Sequence, residues 1–222
     1  MLRQSRKIGV AWNADKPAWM GFVAFGPDGR KVASDGPGSP GDVSGDLTLW
    51  SFPQGKLIRR LPGRPGAISP DWKYYADHNH VRRIGTGEPV ISLQDDVFAT
   101  YAFSRGGEHV AISAGRNRAG ARIRIHALAS GKEVVAFGRR LVFSLAFGPG
   151  EHVLASGGWD SVTFWNPHTG SRLGTAHGAG RYVEALAFSN DGKLLAAGTD
   201  AGGLLILDAH GRGLPDILYQ RG

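Results

Sequence analysis

The histidines at positions 78 and 80 form the first arrangement in this chain that could do chemistry. His78 and His80 flank Asn79, and alternate side chains of an extended segment point to the same side, so both imidazoles could approach one metal ion. Zinc sites use three or four protein ligands, and two imidazoles alone make a poor site. The segment is therefore interpreted as a hairpin turn, and we expect no metal site.

The acidic pairs and acid–histidine pairs do not form a recognisable catalytic pattern. Glu108-His109 and Glu151-His152 recur at the same place after a predicted turn, which indicates a role in the turn rather than in catalysis. General acid–base catalysis needs a partner at a defined distance, and none can be named for Asp95-Asp96. No serine has glycines two positions before and after it, and no glycine–lysine pair is followed by serine or threonine. We therefore predict no catalytic residues, no cofactor and no enzymatic activity.

Charge and composition limit the classes of partner. The 222 residues carry a net charge of +7, from 26 basic and 19 acidic residues. Such basicity permits nucleic-acid binding, but the basic residues are dispersed along the chain, so a nucleic-acid partner is not expected. The absence of cysteine excludes disulfides and thiolate metal sites. Because no long apolar run and no signal-peptide core occur, we expect a cytoplasmic protein with no membrane segment.

Short apolar runs separated by turn residues dominate the chain. Three such runs, Ser144–Phe147, His152–Ser156 and Val162–Trp165, are each closed by glycine, proline, aspartate or asparagine, a pattern that predicts strands joined by tight hairpins. The pattern recurs with apolar anchor residues 43, 35, 44 and 41 residues apart, at Phe25, Ile68, Phe103, Phe147 and Phe188. A period near 40 with four strands per copy is typical of a β-propeller.

Four strings resemble the repeats of the WD-repeat family of β-propellers: AFGPDGRKVAS, AFSNDGKLLAAG, DSVTFW and DLTLW. The resemblance covers nearly the whole chain and implies an all-β fold of four-stranded antiparallel blades. About five repeats are expected, at residues 20–63, 64–98, 99–138, 139–178 and 179–222. The Trp-Asp pair of the family is altered, to Trp50-Ser51, Ile125-His126, Trp165-Asn166 and Leu207-Asp208. The family's hydrogen-bond network of His, Ser, Trp and Asp is therefore expected to be incomplete in every blade.

In that family, the loops between blades and the loops between second and third strands share one face, called the top. The resemblance implies that eight residues lie on this face and bind a partner: Trp19, Arg140, Leu141, Phe143, Trp159, Arg181, Tyr182 and Glu184. It also implies a structural turn role for Asp46, Asp160 and Asp200. Trp, Tyr and Arg dominate the energetics of protein interfaces, which favours a binding role. The alternative is that Phe143 and Trp159 only pack between blades.

The favoured hypothesis is a non-catalytic scaffold that binds protein partners through the top face. Two alternatives stay open, namely a propeller enzyme or small-ligand binder at the central channel, and a basic propeller that binds nucleic acid. About five blades of the family's usual wedge shape would form an incomplete, open propeller, completed by self-association or by further blades. This open arc is favoured over a ring closed by the predicted strand Ile8–Trp12. Trp165 and Phe147 are expected to be buried between sheets.

Overall fold

Short β-strands build the whole described part of the chain. The computed structural model describes residues 22–35, 45–93, 99–114, 121–138, 142–179 and 181–209, together with the backbone of residues 217–218. These residues form twenty strands in five four-stranded antiparallel sheets, which are numbered 1 to 5 in chain order. The prediction of an all-β fold with four-stranded blades is confirmed. Within these ranges no helix occurs that is long and apolar enough to cross a membrane.

The four strands of each sheet follow one another in sequence and in space. Sheet 1 consists of β1 (Val23–Phe25), β2 (Lys31–Asp35), β3 (Leu47–Ser51) and β4 (Leu57–Leu61). Sheet 2 consists of β5 (Ala67–Ile68), β6 (Tyr74–Ala76), β7 (His80–Arg83) and β8 (Pro89–Ser92). Sheet 3 consists of β9 (Ala99–Phe103), β10 (His109–Ala114), β11 (Arg122–Ala127) and β12 (Glu133–Phe137). Sheet 4 consists of β13 (Ser144–Phe147), β14 (Leu154–Gly157), β15 (Ser161–Trp165) and β16 (Arg172–His177). Sheet 5 consists of β17 (Val183–Phe188), β18 (Leu194–Thr199), β19 (Leu204–Asp208) and β20 (Ile217–Leu218).

The turn between the first and second strands has the same backbone conformation in all five sheets. Its fourth residue donates an N–H to the carbonyl three residues earlier, at 2.9–3.1 Å, and has a positive φ between 57° and 73°. Glycine adopts this left-handed conformation without strain and occupies the position in sheets 1, 3 and 5. Trp72 and Glu151 occupy it in sheets 2 and 4, where a side chain costs about 1–2 kcal/mol. The repeat therefore fixes this backbone even where the sequence departs from glycine.

Residue pairing across the strands defines one row of three residues in each sheet, which we call the anchor row. The rows are Phe25, Val32 and Trp50; Ile68, Tyr75 and Arg82; Phe103, Val110 and His126; Phe147, Leu154 and Trp165; and Phe188, Leu195 and Leu207. His126, rather than Ile125, thus takes the position of the two tryptophans. The altered Trp-Asp pair of the third repeat is His126-Ala127, which corrects the sequence assignment. A shift of one residue exchanges the two faces of a strand, so the distinction decides which side chain meets the preceding sheet.

The hydrophobic core lies between sheets. Four clusters of buried residues join sheet 1 to sheet 2, sheet 2 to 3, sheet 3 to 4 and sheet 4 to 5. They include the fully buried side chains of Tyr75, Val110, Leu154 and Leu195, one from each of the four later sheets. Among the described residues no cluster joins sheet 5 back to sheet 1, whereas a closed ring would need a fifth interface. The described residues thus stack as five sheets in series without closure, which is consistent with an open arc, while Ile8–Trp12 lies outside the described residues.

Trp165 and Phe147 pack between sheets 3 and 4, but they are only partly buried. Their predicted position between sheets is thus confirmed, although burial is partial, and Phe147 lines a small cleft of this interface with His109 and His168. Phe137 covers one side of the indole, with ring centroids 5.1 Å apart. Trp165 therefore contributes packing on one side and remains accessible on the other.

Candidate functional site

Chain topology brings two sets of loops to one end of the sheets. In an antiparallel sheet, the turn after the second strand and the exit of the fourth strand lie at the same end. The turns between second and third strands and the connections to the next sheet therefore share the top face. Of the eight residues predicted for this face, Trp19, Arg140 and Leu141 lie outside the described residues.

Three predicted top-face residues contact one another across the boundary between sheets 4 and 5. The ring centroids of Phe143 and Tyr182 are 4.6 Å apart, and those of Trp159 and Tyr182 are 4.5 Å apart, both in edge-to-face geometry. Such pairs contribute about 0.5–1.5 kcal/mol each beyond their buried area. Trp159 is 58% exposed, whereas Phe143 and Tyr182 are partly buried. We call these three residues the aromatic cluster, with Tyr182 at its centre and Trp159 facing solvent.

Close packing between the backbones of sheets 4 and 5 supports the aromatic cluster. The N–H of Val183 donates to the Gly158 carbonyl at 3.0 Å, and the hydroxyl of Ser144 donates to the Val183 carbonyl at 2.7 Å. Gly157 permits this approach, because a Cβ at that position would lie 2.6 Å from the Val183 carbonyl oxygen. Each ring of the aromatic cluster is thus next in sequence to a residue held by an inter-sheet hydrogen bond. The rings therefore stand on a rigid support.

Charged residues flank the aromatic cluster. Arg181 Nη2 lies 3.2 Å from Asp200 Oδ2, and the Asp200 N–H donates to the Tyr182 carbonyl at 3.1 Å. The Arg181 side chain is more than half exposed, so this ion pair is worth about 1 kcal/mol at most. Glu184 is exposed in β17, two residues after Tyr182. The cluster is therefore bordered by one cationic and one anionic side chain.

The three turn aspartates lie on the top face and make different contacts. Asp46 Oδ1 accepts the N–H of Gly63 at 3.2 Å, which links the turn of sheet 1 to the connection toward sheet 2. Asp160 is exposed, and its backbone carbonyl accepts the N–H of Gly178 at 3.2 Å. Asp200 pairs with Arg181 as described above. Each aspartate therefore joins its turn to a neighbouring inter-sheet connection.

Sheets 1 and 4 retain one hydrogen bond of the expected network. Trp50 Nε1–H donates to Ser34 Oγ at 3.0 Å, and Trp165 Nε1–H donates to Ser156 Oγ at 2.8 Å. Each serine is buried and lies two residues after the second member of its anchor row. The bond therefore ties the second strand to the third at the same place in both sheets.

A buried ion pair, which was not predicted from the sequence, replaces this Ser–Trp bond in sheet 2. Asp77 occupies the serine position and Arg82 the tryptophan position, and Arg82 Nε donates to Asp77 Oδ2. Asp77 Oδ1 accepts the N–H groups of Asn79 and His80 at 3.0 and 2.8 Å. The carboxylate thus closes the tight turn at residues 78–80, where a hairpin turn was predicted. Asp77 follows Ile68 at the same distance as Ser34 follows Phe25, and this spacing could have revealed it. Arg82 lies closer to Ile68 than Trp50 lies to Phe25, because the turn of sheet 2 is short.

His78 and His80, the two histidines considered as metal ligands, belong to this turn. His80 Nδ1 lies 3.2 Å from Asp77 Oδ1 and 3.0 Å from Arg82 Nη2. Over the described ranges, no three His, Asp or Glu side chains are placed to share a metal ion. The arrangement therefore stabilises the turn through hydrogen bonds.

Glu151 joins the first turns of sheets 3 and 4 at the opposite end of the sheets. Its Oε1 accepts the N–H of Gly106 at 3.0 Å, and its Oε2 lies 3.3 Å from His109 Nδ1. Burial alone would raise the pKa of Glu151, but hydrogen bonds from Ser104, Gly106 and His109 outweigh burial and lower the pKa. The ionised carboxylate therefore stabilises the contact between the two sheets.

Five similar sheets stacked in series, with loops gathered on one face, define a β-propeller-like repeat protein. The family model for the WD domain, G-beta repeat, matches residues 170–206, which hold β16, β17, β18 and the start of β19. Together with the repeated sheets, this match supports the resemblance of the chain to the WD-repeat family. No curated protein matches the chain. WD-repeat domains generally act as protein-interaction scaffolds and are generally non-catalytic.

Proposed function

We propose that this chain is a non-catalytic interaction module that binds a protein partner through the aromatic cluster on its top face. The observation that carries the proposal is the exposed indole of Trp159, packed edge to face on Tyr182 at 4.5 Å. A large apolar ring held in a fixed orientation loses little conformational entropy on binding. Trp159 is therefore the residue expected to contribute most to the affinity.

The surroundings of Trp159 match the layout of a protein-binding hot spot. Hot spots are enriched in Trp, Tyr and Arg and are surrounded by residues that exclude water from the centre. Trp159 and Tyr182 supply the centre, while Arg181 and Glu184 supply charged groups at the border. This combination favours a partner segment with an apolar centre and charges of both signs around it.

The ion pairs of the described residues favour a protein partner over nucleic acid. Three arginines that could contact phosphates lie next to carboxylates instead: Arg64 with Asp35, Arg124 with Glu133, and Arg181 with Asp200. Phosphate binding would require these pairs to open, and its affinity would fall steeply with salt. Affinity carried by the aromatic cluster would depend only weakly on salt.

The test compares partners captured by the wild type with those captured by single variants. Leu173 is 51% exposed on the outer strand β16 of sheet 4, so Leu173→Ala is a matched loss of exposed apolar surface away from the top face. We expect Trp159→Ala to weaken capture by about thirtyfold or more, the loss of a hot-spot residue. Proteins retained by the wild type and by Leu173→Ala should be lost with Trp159→Ala.

Two outcomes would contradict the proposal. Equal capture by Trp159→Ala and wild type would remove the aromatic cluster from the binding site. A large loss of thermal stability in Trp159→Ala would show that the ring is a packing residue of the boundary between sheets 4 and 5. The cytoplasmic location stays a prediction that fractionation of cells would test.

A further inference from the structure

The two faces of each sheet have distinct roles in the stack. One face carries the anchor row and packs on the preceding sheet, and we call it the leading face. The other face, which we call the trailing face, packs under the following sheet. Its centre is a paired alanine and apolar residue in every sheet: Ala33 and Leu49, Ala76 and Val81, Ala111 and Ile125, Ala155 and Phe164, and Ala196 and Ile206. Every interface in the arc therefore joins a trailing face to a leading face.

Among the described residues, no sheet packs on the trailing face of sheet 5. The alanine–apolar pairs of sheets 1 to 4 are all buried, whereas Ala196 and Ile206 are only partly buried. Leu204 lies two residues before Ile206 and is 41% exposed, while Val162, two residues before Phe164 in sheet 4, is fully buried. The residue types of an inter-sheet interface are thus present in sheet 5, but this interface is missing.

Sheet 1 has the complementary feature, because none of the described sheets packs on its leading face. The anchor residues Ile68, Phe103, Phe147 and Phe188 all pack against an inter-sheet cluster. Their counterpart Phe25 is 61% exposed, and Val23 beside it is exposed as well. The row continues through Val32 and Trp50 to Leu57, which is also exposed. Sheet 1 therefore presents a band of apolar residues across all four strands.

We propose that the leading face of sheet 1 binds the trailing face of sheet 5 in a second copy of this chain. The partner follows from the pattern of the internal interfaces, since each of them joins these same two kinds of face at the same register positions. Large exposed apolar surfaces favour association, and here the two surfaces of one chain are complementary to each other. The contact is heterologous, so it links copies head to tail. This inference concerns the ends of the arc and is independent of the aromatic cluster.

Disulfide cross-linking can test this contact because the chain contains no cysteine. In the interface between sheets 3 and 4, Ile125 and Phe147 line the same cleft. Their counterparts across the proposed contact are Ile206 of one copy and Phe25 of the other. We therefore expect a mixture of Phe25→Cys and Ile206→Cys proteins to form a covalent dimer under mild oxidation, read on a non-reducing gel and by mass spectrometry.

Matched mixtures define the outcomes that would overturn the proposal. Leu173→Cys places a thiol on an exposed apolar position of β16, so a mixture of Leu173→Cys and Phe25→Cys measures random collision. A dimer yield no higher than in this mixture would overturn the proposal. Equal dimer formation by Phe25→Cys alone would indicate a symmetric contact and would overturn it too. In the Phe25→Cys/Ile206→Cys double variant, a disulfide within monomers would show that the arc closes on itself.

Sedimentation of the unmodified chain provides an independent measurement. We expect concentration-dependent oligomers, with the association constant lowered about tenfold or more by Phe25→Asp or by Leu204→Asp. Leu173→Asp carries the same change at a comparably exposed position and should leave association unchanged. A monomer at all concentrations would overturn the proposal. If an aspartate variant fails to fold, the cross-linking of the cysteine variants decides the question.

Discussion

The ion pair of sheet 2 gives the sharpest prediction for stability. The side chains of Asp77 and Arg82 are 5% and 16% exposed. Two backbone N–H groups, of Asn79 and His80, donate to Oδ1 of Asp77, but Oδ2 receives its hydrogen bond from Arg82. Arg82→Met keeps an unbranched side chain as far as the position of Nε and removes the charged guanidinium group. It therefore leaves a buried carboxylate oxygen without a donor.

The expected loss is about 3 kcal/mol. Breaking a buried pair by removing one partner costs about 3–5 kcal/mol, and the two backbone N–H donors that remain on Oδ1 place this case at the lower end. For a chain of this size, about 3 kcal/mol lowers the melting temperature by about 6–12 °C. Urea unfolding followed by tryptophan fluorescence should show a lower midpoint at an unchanged slope.

The neighbouring arginine is the matched control. Arg83 is exposed and contacts Tyr74, with its guanidinium carbon 5.5 Å from the ring centroid. Arg83→Met should cost about 1 kcal/mol or less, because an exposed cation–π contact contributes about that much. Equal losses for Arg82→Met and Arg83→Met would refute the argument that burial makes the first pair costly to break.

A double substitution tests whether the pair occupies the place of the Ser–Trp bond. Arg82→Trp alone should be strongly destabilising, because Asp77 loses its cation. Asp77→Ser with Arg82→Trp recreates the residue types of Ser34 and Trp50 at the same register positions, and should recover about 1–2 kcal/mol relative to Arg82→Trp. Additive losses in the two single variants and the double variant would contradict the equivalence.

Three further predictions concern buried hydrogen bonds and pH. Ser156→Ala should cost about 1–3 kcal/mol in thermal unfolding, because the Trp165 N–H loses its acceptor; a loss no larger than that of an exposed Ser171→Ala control would contradict this. Burial raises the pKa of Tyr75 to about 12, so the neutral phenol stabilises the fold below pH about 10, and this contribution is lost as the pH rises toward 12. Tyr75→Phe should therefore lose less stability than the wild type between those pH values. Parallel plots of unfolding free energy against pH for the two proteins would contradict the raised pKa. The lowered pKa of Glu151 gives the opposite pH dependence of stability. The ionised carboxylate stabilises the fold above the ordinary carboxyl pKa, and this contribution is lost as the pH falls through the lowered pKa. The stability difference between wild type and Glu151→Gln should accordingly shrink in acid, and a constant difference would assign it to packing.

Local turn chemistry made the strands predictable, whereas the family resemblance placed the aromatic residues of the top face. Gly-Pro-Asp-Gly at residue 26 and Ser-Asn-Asp-Gly at residue 189 mark a turn whose fourth residue has positive φ, so the strands on either side followed. The resemblance to the WD-repeat family, applied by distance from an anchor or a turn, placed Phe143, Trp159 and Tyr182 on one face. Their mutual contact could not be predicted, because it depends on how closely sheets 4 and 5 approach at Gly157.

Two features escaped because both partners of an interaction changed together. Asp77 and Arg82 share no residue type with Ser34 and Trp50, so only the register shows that they are equivalent. The assignment of Ile125 in place of His126 failed for a related reason. Ile125 resembles an aromatic core residue more closely than His126 does. Only the pairing of His126 with Val110 shows that His126 is the residue that faces the preceding sheet.

Alanine eight residues after each anchor is a more regular mark of these repeats than the Trp-Asp pair. Ala33, Ala76, Ala111, Ala155 and Ala196 occur in all five sheets at the centre of the trailing face, where a small side chain lets the next sheet approach. The pattern supplies a test of the open arc within one molecule. Ala155 is fully buried under sheet 5, so Ala155→Leu should overpack the interface and cost about 1–3 kcal/mol or more. Ala196 has the same position in sheet 5 without a following sheet, so Ala196→Leu should change the free energy of unfolding by about 0.5 kcal/mol or less at concentrations where the chain is monomeric. Urea unfolding of both variants in dilute solution measures the contrast. Equal losses of stability for Ala155→Leu and Ala196→Leu would mean that sheet 5 is covered within the monomer. Sheet 1 would then pack on sheet 5, and the five sheets would form a closed ring.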